Sequence, residues 1–396
     1  MRIRCNRIFN ETEGTFTSGE IIVHGERFGV QAHTGDEVYD FRGCYAVPGF
    51  IDIHSHGAFG EAFFEASPQR LAQMGEFLAS TGVTAFCPGA VTGTEAALEK
   101  GAASFAASPA FRRTREYANF LGAEIIGIYQ EGPFLSPQKP GAADLATFIK
   151  PQAAFFNRLR GLAAKYGVSI PFVVIAPELE GAFDFIREVS GGAVCTMAHT
   201  TADYNTALAA IECGAAQITH LYNAMPPLLH REPGIIGAAF DAKSVKAELI
   251  ADSVHVHPAM VRAAFSLFGD SRVILISDSL FTGVSDGVYT TSTLEVTVAS
   301  DRSVQSARIK SGALACSCKT LGECVINAVT QIGIPFFSAV KCATVNPAVQ
   351  AGVFHERGSI AAGKLADLVL LDDDFTIRAV LVRGKWRPGF LPPAAK

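Results

Sequence analysis

The middle of the chain alternates short apolar runs, rich in β-branched residues, with longer alanine-rich stretches. The runs have the composition of buried parallel strands, and the stretches between them have the length of helices. Regular alternation of strand and helix predicts an α/β fold in which a closed (β/α)8 barrel of the TIM type is the main unit. The predicted strands are 49–53, 83–86, 124–129, 172–175, 193–197, 217–219, 246–251 and 272–277. Predicted helices between them include 68–80, 152–166, 203–213 and 258–268.

An open, doubly wound sheet is the alternative arrangement for such a pattern. That fold would need a glycine-rich phosphate loop after its first strand. The chain instead continues as HSHGAFGEAF (54–63), which has no GxGxxG spacing. The barrel is therefore the preferred interpretation.

Both ends of the chain have a different pattern. Residues 1–48 and 352–396 contain short alternating apolar stretches separated by Gly and Asp, which indicates β-structure with turns. We therefore predict a small β-sandwich domain built from both termini, flanking the barrel at 49–351. Residues 285–312 alternate with a period of two and predict a hairpin inserted near the mouth of the barrel.

Composition narrows the functional classes. The chain has 396 residues, of which 49% are hydrophobic and 18% charged, so it has ample material for a large core. A formal charge of -5 offers no basic surface for nucleic acid, and no apolar run reaches the roughly 18 residues of a membrane span. The first residues turn polar too early for a secretory signal. Nine scattered cysteines without a CxxC pair fit a reduced, cytoplasmic protein.

Polar side chains fall where the predicted strands end, which is where barrel enzymes place their chemistry. Imidazole and carboxylate groups are the ligands that hold zinc or iron(II), and a catalytic site leaves one position open for water. An isolated histidine at a strand end is commonly a hydrogen-bonded loop residue, but here six candidates follow five different strands. They are His54, His56, Glu131, His199, His220 and Asp278.

The HxH pair and the last carboxylate suggest two further roles. Residues i and i+2 of a strand point the same way, so His54 and His56 can converge on one ion. They either hold a second metal or orient a water, and the sequence leaves both open. Asp278 is free to take a proton from a metal-activated water.

Two later segments add candidates for substrate binding. In the loop 220–234, Asn223 can hydrogen-bond an amide or hydroxyl, and Arg231 is suited to a phosphate fork. A surface salt bridge is the alternative for Arg231. His255 follows the seventh predicted strand and therefore faces the mouth of the barrel.

These stretches resemble the N-acetylglucosamine-6-phosphate deacetylase family of the amidohydrolase superfamily. The matching segments run along nearly the whole chain in family order, and the most specific are EGPF (131–134) and THLYNAMPPLLHREPG (219–234). Others are PGFIDIHSHG (48–57), ELIADSVHVHP (248–258), SDSLFTGVSDG (277–287) and GSIAAGKLADLVLLD (358–372).

The resemblance implies a role for each candidate. Glu131, His199 and His220 would bind the main metal, zinc or else iron, and Asp278 would be the acid/base. Family members differ at the HxH site, so the count of one or two ions does not carry over. Arg231 would contact phosphate, in some members from the partner subunit of a homodimer. Contacts to the sugar are implied for Ala142, Asn223, Ala224, His255 and the backbone of Leu314, Ala315 and Cys316.

Two segments depart from the family pattern. The usual TDAM is SDSL at 277–280, and LAGSS is LACSC at 314–318, which places Cys316 where a glycine is expected and adds Cys318. These changes affect the expected sugar preference more than the reaction, because the metal ligands and the acid/base are present.

The expected activity is hydrolysis of the acetamide of N-acetylglucosamine 6-phosphate to glucosamine 6-phosphate and acetate. A related sugar such as N-acetylgalactosamine 6-phosphate is an alternative, and so is an inactive barrel kept as a scaffold. Ring-opening amidohydrolases usually carry a carbamylated Lys at the end of strand four. Here that strand ends in Ala176-Pro177-Glu178, which argues against them.

Overall fold

The computed structural model describes residues 1–91, 94–111, 119–291, 294–301 and 304–389. Its strands are, in chain order, β1 Arg2–Asn10, β2 Thr15–His24, β3 Arg27–Phe28, β4 Val38–Asp40, β5 Tyr45–Pro48, β6 Phe50–Ser55, β7 Gly57–Ala58, β8 Glu61–Ala62, β9 Val83–Ala90, β10 Glu124–Ile125, β11 Tyr129–Phe134, β12 Phe172–Ile175, β13 Val194–Met197, β14 Gln217–Ile218, β15 Lys246–Ile250, β16 Val273–Ile276, β17 Gly287–Thr290, β18 Glu295–Asp301, β19 Val304–Ile309, β20 Leu368–Leu371, β21 Ile377–Val382 and β22 Lys385–Trp386.

The helices lie mainly between the strands of the middle region. They are α1 Pro68–Ser80, α2 Glu95–Ala106, α3 Ala153–Lys165, α4 Ala182–Val189, α5 Tyr204–Glu212, α6 Gly234–Asp241, α7 Pro258–Phe268, α8 Leu321–Asn327, α9 Phe336–Ala343 and α10 Val345–Gln350. A 3-10 turn covers Leu145–Thr147, and a π-helical turn, Ala328–Ile332, continues α8. None of the helices in the described ranges is long and apolar enough to cross a membrane.

Eight parallel strand positions form the predicted barrel. Strands β6, β9, β11, β12, β13, β14, β15 and β16 follow one another in space in that order. The ring closes between its first and last strands, where the Asp278 amide donates to the His54 carbonyl at 2.9 Å. The Ser277 hydroxyl also donates to the buried Asp52 carboxylate at 2.5 Å. The barrel fold predicted from the sequence is confirmed.

The third strand position differs from its prediction. The apolar run at 124–129 is divided into β10 and β11, both parallel to β9, and β11 extends to Phe134. Glu131 therefore lies within a strand and not after one. The prediction stopped early because Gln130 and Glu131 are polar, yet both are buried. The Gln130 amide donates to the carbonyls of Ala90 and Gly132, which makes a polar residue acceptable in this strand.

The barrel interior and its outer face draw on alternate residues of each strand. Along β16, Val273 and Leu275 belong to the large apolar cluster that includes the buried faces of the helices. Ile274 and Ile276 instead share a cluster with Phe172 and Val174 of β12, a strand on the opposite side of the ring. Because both faces of the parallel strands are covered, the predicted strands read as continuous apolar runs.

The two chain ends meet in a separate eight-stranded sheet, as predicted. Its order is β22-β21-β20-β5-β1-β2-β3, with β4 beside β1. Strand β20 pairs antiparallel with β5, which joins the C-terminal strands to the N-terminal ones. The exact domain limits, 1–48 with 352–396 and 49–351, stay a prediction, and residues 390–396 lie outside the described part.

A third element follows the eighth barrel strand. The segment predicted as a hairpin forms three antiparallel strands, β17 to β19. The alternating pattern identified β-structure correctly but not the number of strands, because a period of two does not mark where one strand ends and the next begins.

Candidate metal centre

Six predicted residues converge at one end of the barrel. His54 lies near the end of β6 and Glu131 within β11, whereas His199, His220 and Asp278 each lie two residues beyond a strand. These last three have left-handed backbones, with φ of 45°, 32° and 49°. Few residues other than glycine adopt such backbone angles, and those that do are held there by the surrounding structure. The chain thus turns sharply at each of these residues, directly above its strand.

One carboxylate oxygen and two imidazoles form the first triad. Glu131 Oε1 lies 3.2 Å from His199 Nε2 and 3.2 Å from His220 Nε2, and the two nitrogens are 3.1 Å apart. Ligands held tetrahedrally at about 2.0–2.1 Å from zinc are separated by about 3.3 Å. The first triad therefore has the donor types and the spacing of three ligands of one ion.

The other carboxylate oxygen belongs to the second triad, formed with His54 and His56. Glu131 Oε2 lies 3.4 Å from His54 Nε2 and 3.0 Å from His56 Nε2, which are 3.1 Å apart. Asp278 Oδ1 lies 3.1 Å from His56 Nε2. Glu131 thus offers one oxygen to each triad, and the donor set of the second triad also fits a divalent cation.

In three histidines, a hydrogen bond made by Nδ1 fixes Nε2 as the nitrogen that faces the centre. The Nδ1 atom of His199 lies 2.8 Å from the Lys139 carbonyl, and that of His56 lies 3.3 Å from the Gly89 carbonyl. A carbonyl only accepts, so Nδ1 carries the hydrogen and Nε2 of the neutral ring keeps its lone pair for a cation. The His54 Nδ1 donates instead to Glu248 Oε2 at 3.1 Å.

The electrostatics of the centre call for positive charge. Burial opposes ionisation of these groups, but the charges of the histidines and their hydrogen bonds hold the pKa of Glu131 well below its ordinary value. Burial likewise disfavours a charged His54, yet the Glu131 carboxylate raises the pKa of that imidazole well above its ordinary value. For His56, hydrogen bonds to Asp278 and Glu131 outweigh burial and raise the pKa to about 9. Without an ion, protons supply the charge that these carboxylates need.

His255 lies close to this centre on a support of its own. Its Nδ1 donates to Asp252 Oδ2 at 2.7 Å, and Asp252 Oδ1 accepts the amides of Val254 and His255. Burial alone would lower the pKa of His255, but the hydrogen bond to Asp252 and its charge raise it. The ring is thereby held with Nδ1 turned towards Asp252 and Nε2 on its other side.

Some of the other residues predicted to contact the substrate lie near the centre, and others do not. Cys316, at a φ of 60°, brings its sulfur within 4.8 Å of the ligand atoms of His56 and Asp278, and Ala142 packs in the same apolar cluster. Asn223 turns its amide back to the carbonyls of its own loop at 3.3 Å. Arg231 is exposed and makes no hydrogen bond or ion pair within the described ranges, so it is not brought to the centre by its own chain.

The remaining predicted positions belong to the backbone. Ala224 has a φ of 50°, and its carbonyl accepts the Thr200 amide at 3.1 Å in the loop after His199. Leu314 pairs with Arg308, and the Ala315 amide donates to the Ala307 carbonyl at 3.0 Å, so both extend the edge of the inserted sheet.

Comparison with known proteins decides the family. The sequence profile of the Amidohydrolase family matches residues 45–387. The chain belongs to the amidohydrolase family. Within this family it is 35% identical over 341 residues to the N-acetylglucosamine-6-phosphate deacetylase of Bacillus subtilis strain 168, covering 85% of this chain and 83% of that protein. It is 32% identical over 340 residues to the N-acetylgalactosamine-6-phosphate deacetylase of Escherichia coli O157:H7, covering 85% and 86%.

A solved amidohydrolase structure is similar over its full length. It is a mutant N-acetyl-D-glucosamine-6-phosphate deacetylase of Mycobacterium smegmatis in complex with N-acetyl-D-glucosamine-6-phosphate, with a TM-score of 0.85 and 30% identity over 98% of each chain. The resemblance predicted from sequence is confirmed.

Two acidic residues that support this amidohydrolase centre were missed by the sequence analysis. They are Asp252, beneath His255, and Glu248, beneath His54. Glu248 did carry a signal, because it is an acidic residue flanked by Ala247, Leu249 and Ile250 in the buried part of β15. Its partner could not be read from the sequence, since His54 lies 194 residues away.

Sharing of Glu131 between the triads leads to a first prediction. Replacing Glu131 with Ala removes an oxygen from each triad, so we expect the variant to lose all bound metal. His199→Ala should lose only the ion of the first triad. Elemental analysis after dialysis measures both, with Glu180→Ala, an exposed carboxylate paired with Lys150, as the control. Wild-type metal content in Glu131→Ala would remove Glu131 from the ligand set.

Proposed function

We propose that the protein is a metal-dependent deacetylase that converts N-acetylglucosamine 6-phosphate to glucosamine 6-phosphate and acetate. The observation that carries this proposal is the convergence of both triads on Glu131, with Asp278 beside them at the barrel mouth. Relatives named N-acetylglucosamine-6-phosphate deacetylase align with most of the chain. N-acetylgalactosamine 6-phosphate is the alternative substrate, because a deacetylase named for that sugar is 32% identical to the chain.

The first triad would hold the main ion, and the second triad would hold another. Nitrogen and oxygen donors suit zinc or iron(II), and zinc fits the separations of the first triad. Such an ion supplies an acidified water and an electrophile for the acetamide carbonyl. If the second triad held no ion, His54 and His56 would instead orient a water.

Asp278 would act as the acid/base. Its side chain is 14% exposed and borders the second triad, so its carboxylate reaches the mouth where a substrate enters. In this role it accepts a proton as water adds to the acetamide carbon. It returns that proton to the nitrogen as the carbon–nitrogen bond breaks, which yields acetate and the free amine.

The substrate would be held around these groups. His255 offers a nitrogen that Asp252 keeps correctly turned, and the backbone of Leu314–Cys316 borders the same space. Ala142, Asn223 and Ala224 would contact the sugar. In a homodimer, Arg231 would bind the phosphate of the substrate held by the neighbouring subunit. This role would account for an arginine with no partner among the described residues of its own chain. Nine free cysteines support a reducing compartment, the cytoplasm.

A substrate panel tests the proposed activity. Acetate release should be fastest with N-acetylglucosamine 6-phosphate, slower with the galactosamine epimer, and about ten- to a hundredfold lower in kcat/KM without phosphate, since charge-assisted hydrogen bonds are lost. Absence of acetate from every substrate, with metal bound, would contradict a deacetylase. Faster turnover of the galactosamine epimer would change the sugar and keep the reaction.

Asp278→Asn separates catalysis from assembly. The amide keeps the shape of the side chain but cannot accept the proton. We therefore expect kcat to fall by about 10²–10⁴-fold while KM, metal content and thermal stability change little. A variant with near-normal kcat would show that Asp278 is not the acid/base, and one that only lost stability would show that it fixes the loop.

Arg231→Ala tests the phosphate contact. Losing the guanidinium should raise KM for the phosphorylated sugar by about ten- to a hundredfold and leave turnover of the unphosphorylated sugar unchanged. Mixing this variant with Asp278→Asn protein should restore some activity if the arginine acts across a dimer, because one mixed site is then intact. An unchanged KM would show that Arg231 is an ordinary surface charge and does not bind the phosphate.

A further inference from the structure

Glu248 is a fully buried carboxylate that lies between apolar residues of β15. It lies on β15, where Ala247, Leu249 and Ile250 are also completely buried. Its Oε2 accepts from His54 Nδ1 at 3.1 Å, and its Oε1 accepts from the Gln217 amide at 2.5 Å. A buried carboxylate is costly unless its charge is compensated. Among the described residues, its one ionisable partner is His54.

His54 is held differently from the other histidines of the centre. His56 and His199 donate their outer N–H to neutral backbone carbonyls, whereas His54 donates to a carboxylate. The ring of His54 is also stacked on Tyr129, with centroids 4.1 Å apart and planes 17° apart. A carboxylate on the outer nitrogen fixes the tautomer and makes the inner nitrogen a stronger donor to a cation.

The carboxylates gathered at this end of the barrel also favour the binding of cations. Four carboxylates converge here, and no Lys or Arg in the described part of the chain pairs with any of them. Their negative charge is therefore compensated by protons or cations held among the histidines of the two triads. The carboxylates are Asp52, Glu131, Glu248 and Asp278.

We propose that Glu248 is a positioning residue that makes the second triad an ion site by orienting His54 and adding the buried charge that a second divalent cation neutralises. Glu248 touches neither the substrate nor the reacting atoms and acts through His54. The inference rests on the proposed function only for the ligand set, and it predicts the number of ions, which the reaction by itself does not.

Zinc binding to the metal-free protein tests this role. Wild-type protein, stripped with a chelator and titrated with zinc alone by calorimetry, should bind two ions. Glu248→Gln keeps the shape and removes the charge, so the second ion should bind about ten- to a hundredfold more weakly while the first is unchanged. Glu248→Asp keeps the charge but withdraws it from His54, and we expect a loss confined to the second ion as well.

Two controls make the result specific. Tyr129→Phe removes a buried hydroxyl that bonds Thr219 at 2.7 Å in the same interior, keeps the ring beside His54, and should bind two ions normally. His54→Ala should lose the second ion outright. Wild-type affinities for both ions in folded Glu248→Gln and Glu248→Asp would overturn the proposal, and so would a wild-type protein that binds one ion.

The zinc titration and the acetate assay can fail independently, so a failure of this proposal can be told from a failure of the proposed function. Two ions in the wild type with selective loss in both Glu248 variants, but no acetate from any sugar, would support Glu248 and refute the deacetylase. Acetate release by a wild-type protein that binds a single zinc would do the reverse.

Discussion

The Glu131 carboxylate is the interaction on which the centre depends. Its two oxygens lie within 3.4 Å of four imidazole nitrogens, contributed by residues at or just beyond the ends of three different strands. A single side chain therefore sets the distance between two groups of donors that are remote in sequence. Neutral histidines and a negative carboxylate at these separations are stable together only if a positive charge is present, and this requirement explains why so many polar groups are tolerated inside a closed barrel.

The surrounding fold is arranged to hold those donors rigidly. The outer nitrogens of His54, His56 and His199 are bound by a carboxylate or by carbonyls, and the backbones at His199, His220 and Asp278 adopt left-handed angles. Such angles cost energy, which the packed strands below them compensate. Rigidity of this kind preserves the donor separations of the triads.

Much of this arrangement was predictable from the sequence, and the parts that were not have physical reasons. The barrel, the terminal sheet and the gathering of His54, Glu131 and Asp278 follow from strand periodicity and from the rule that parallel strands end at one face. The division of the third strand was not predictable, because burial of Gln130 depends on carbonyls of another strand. Glu248 was missed since hydrophobic patterning identifies strands but not the partner of a charge within one.

The seam of the barrel has a consequence for how the molecule assembles. The first triad draws on β11 and the loops after β13 and β14, which are near neighbours in the sheet. The second triad adds β6, which pairs with β9 and through β9 lies close to β11. Neither triad therefore depends on the seam, whereas Asp278 reaches the second triad from β16, across the seam that its amide closes with the His54 carbonyl. A barrel whose ends had not yet met would possess both ligand sets but would lack the proposed acid/base beside them.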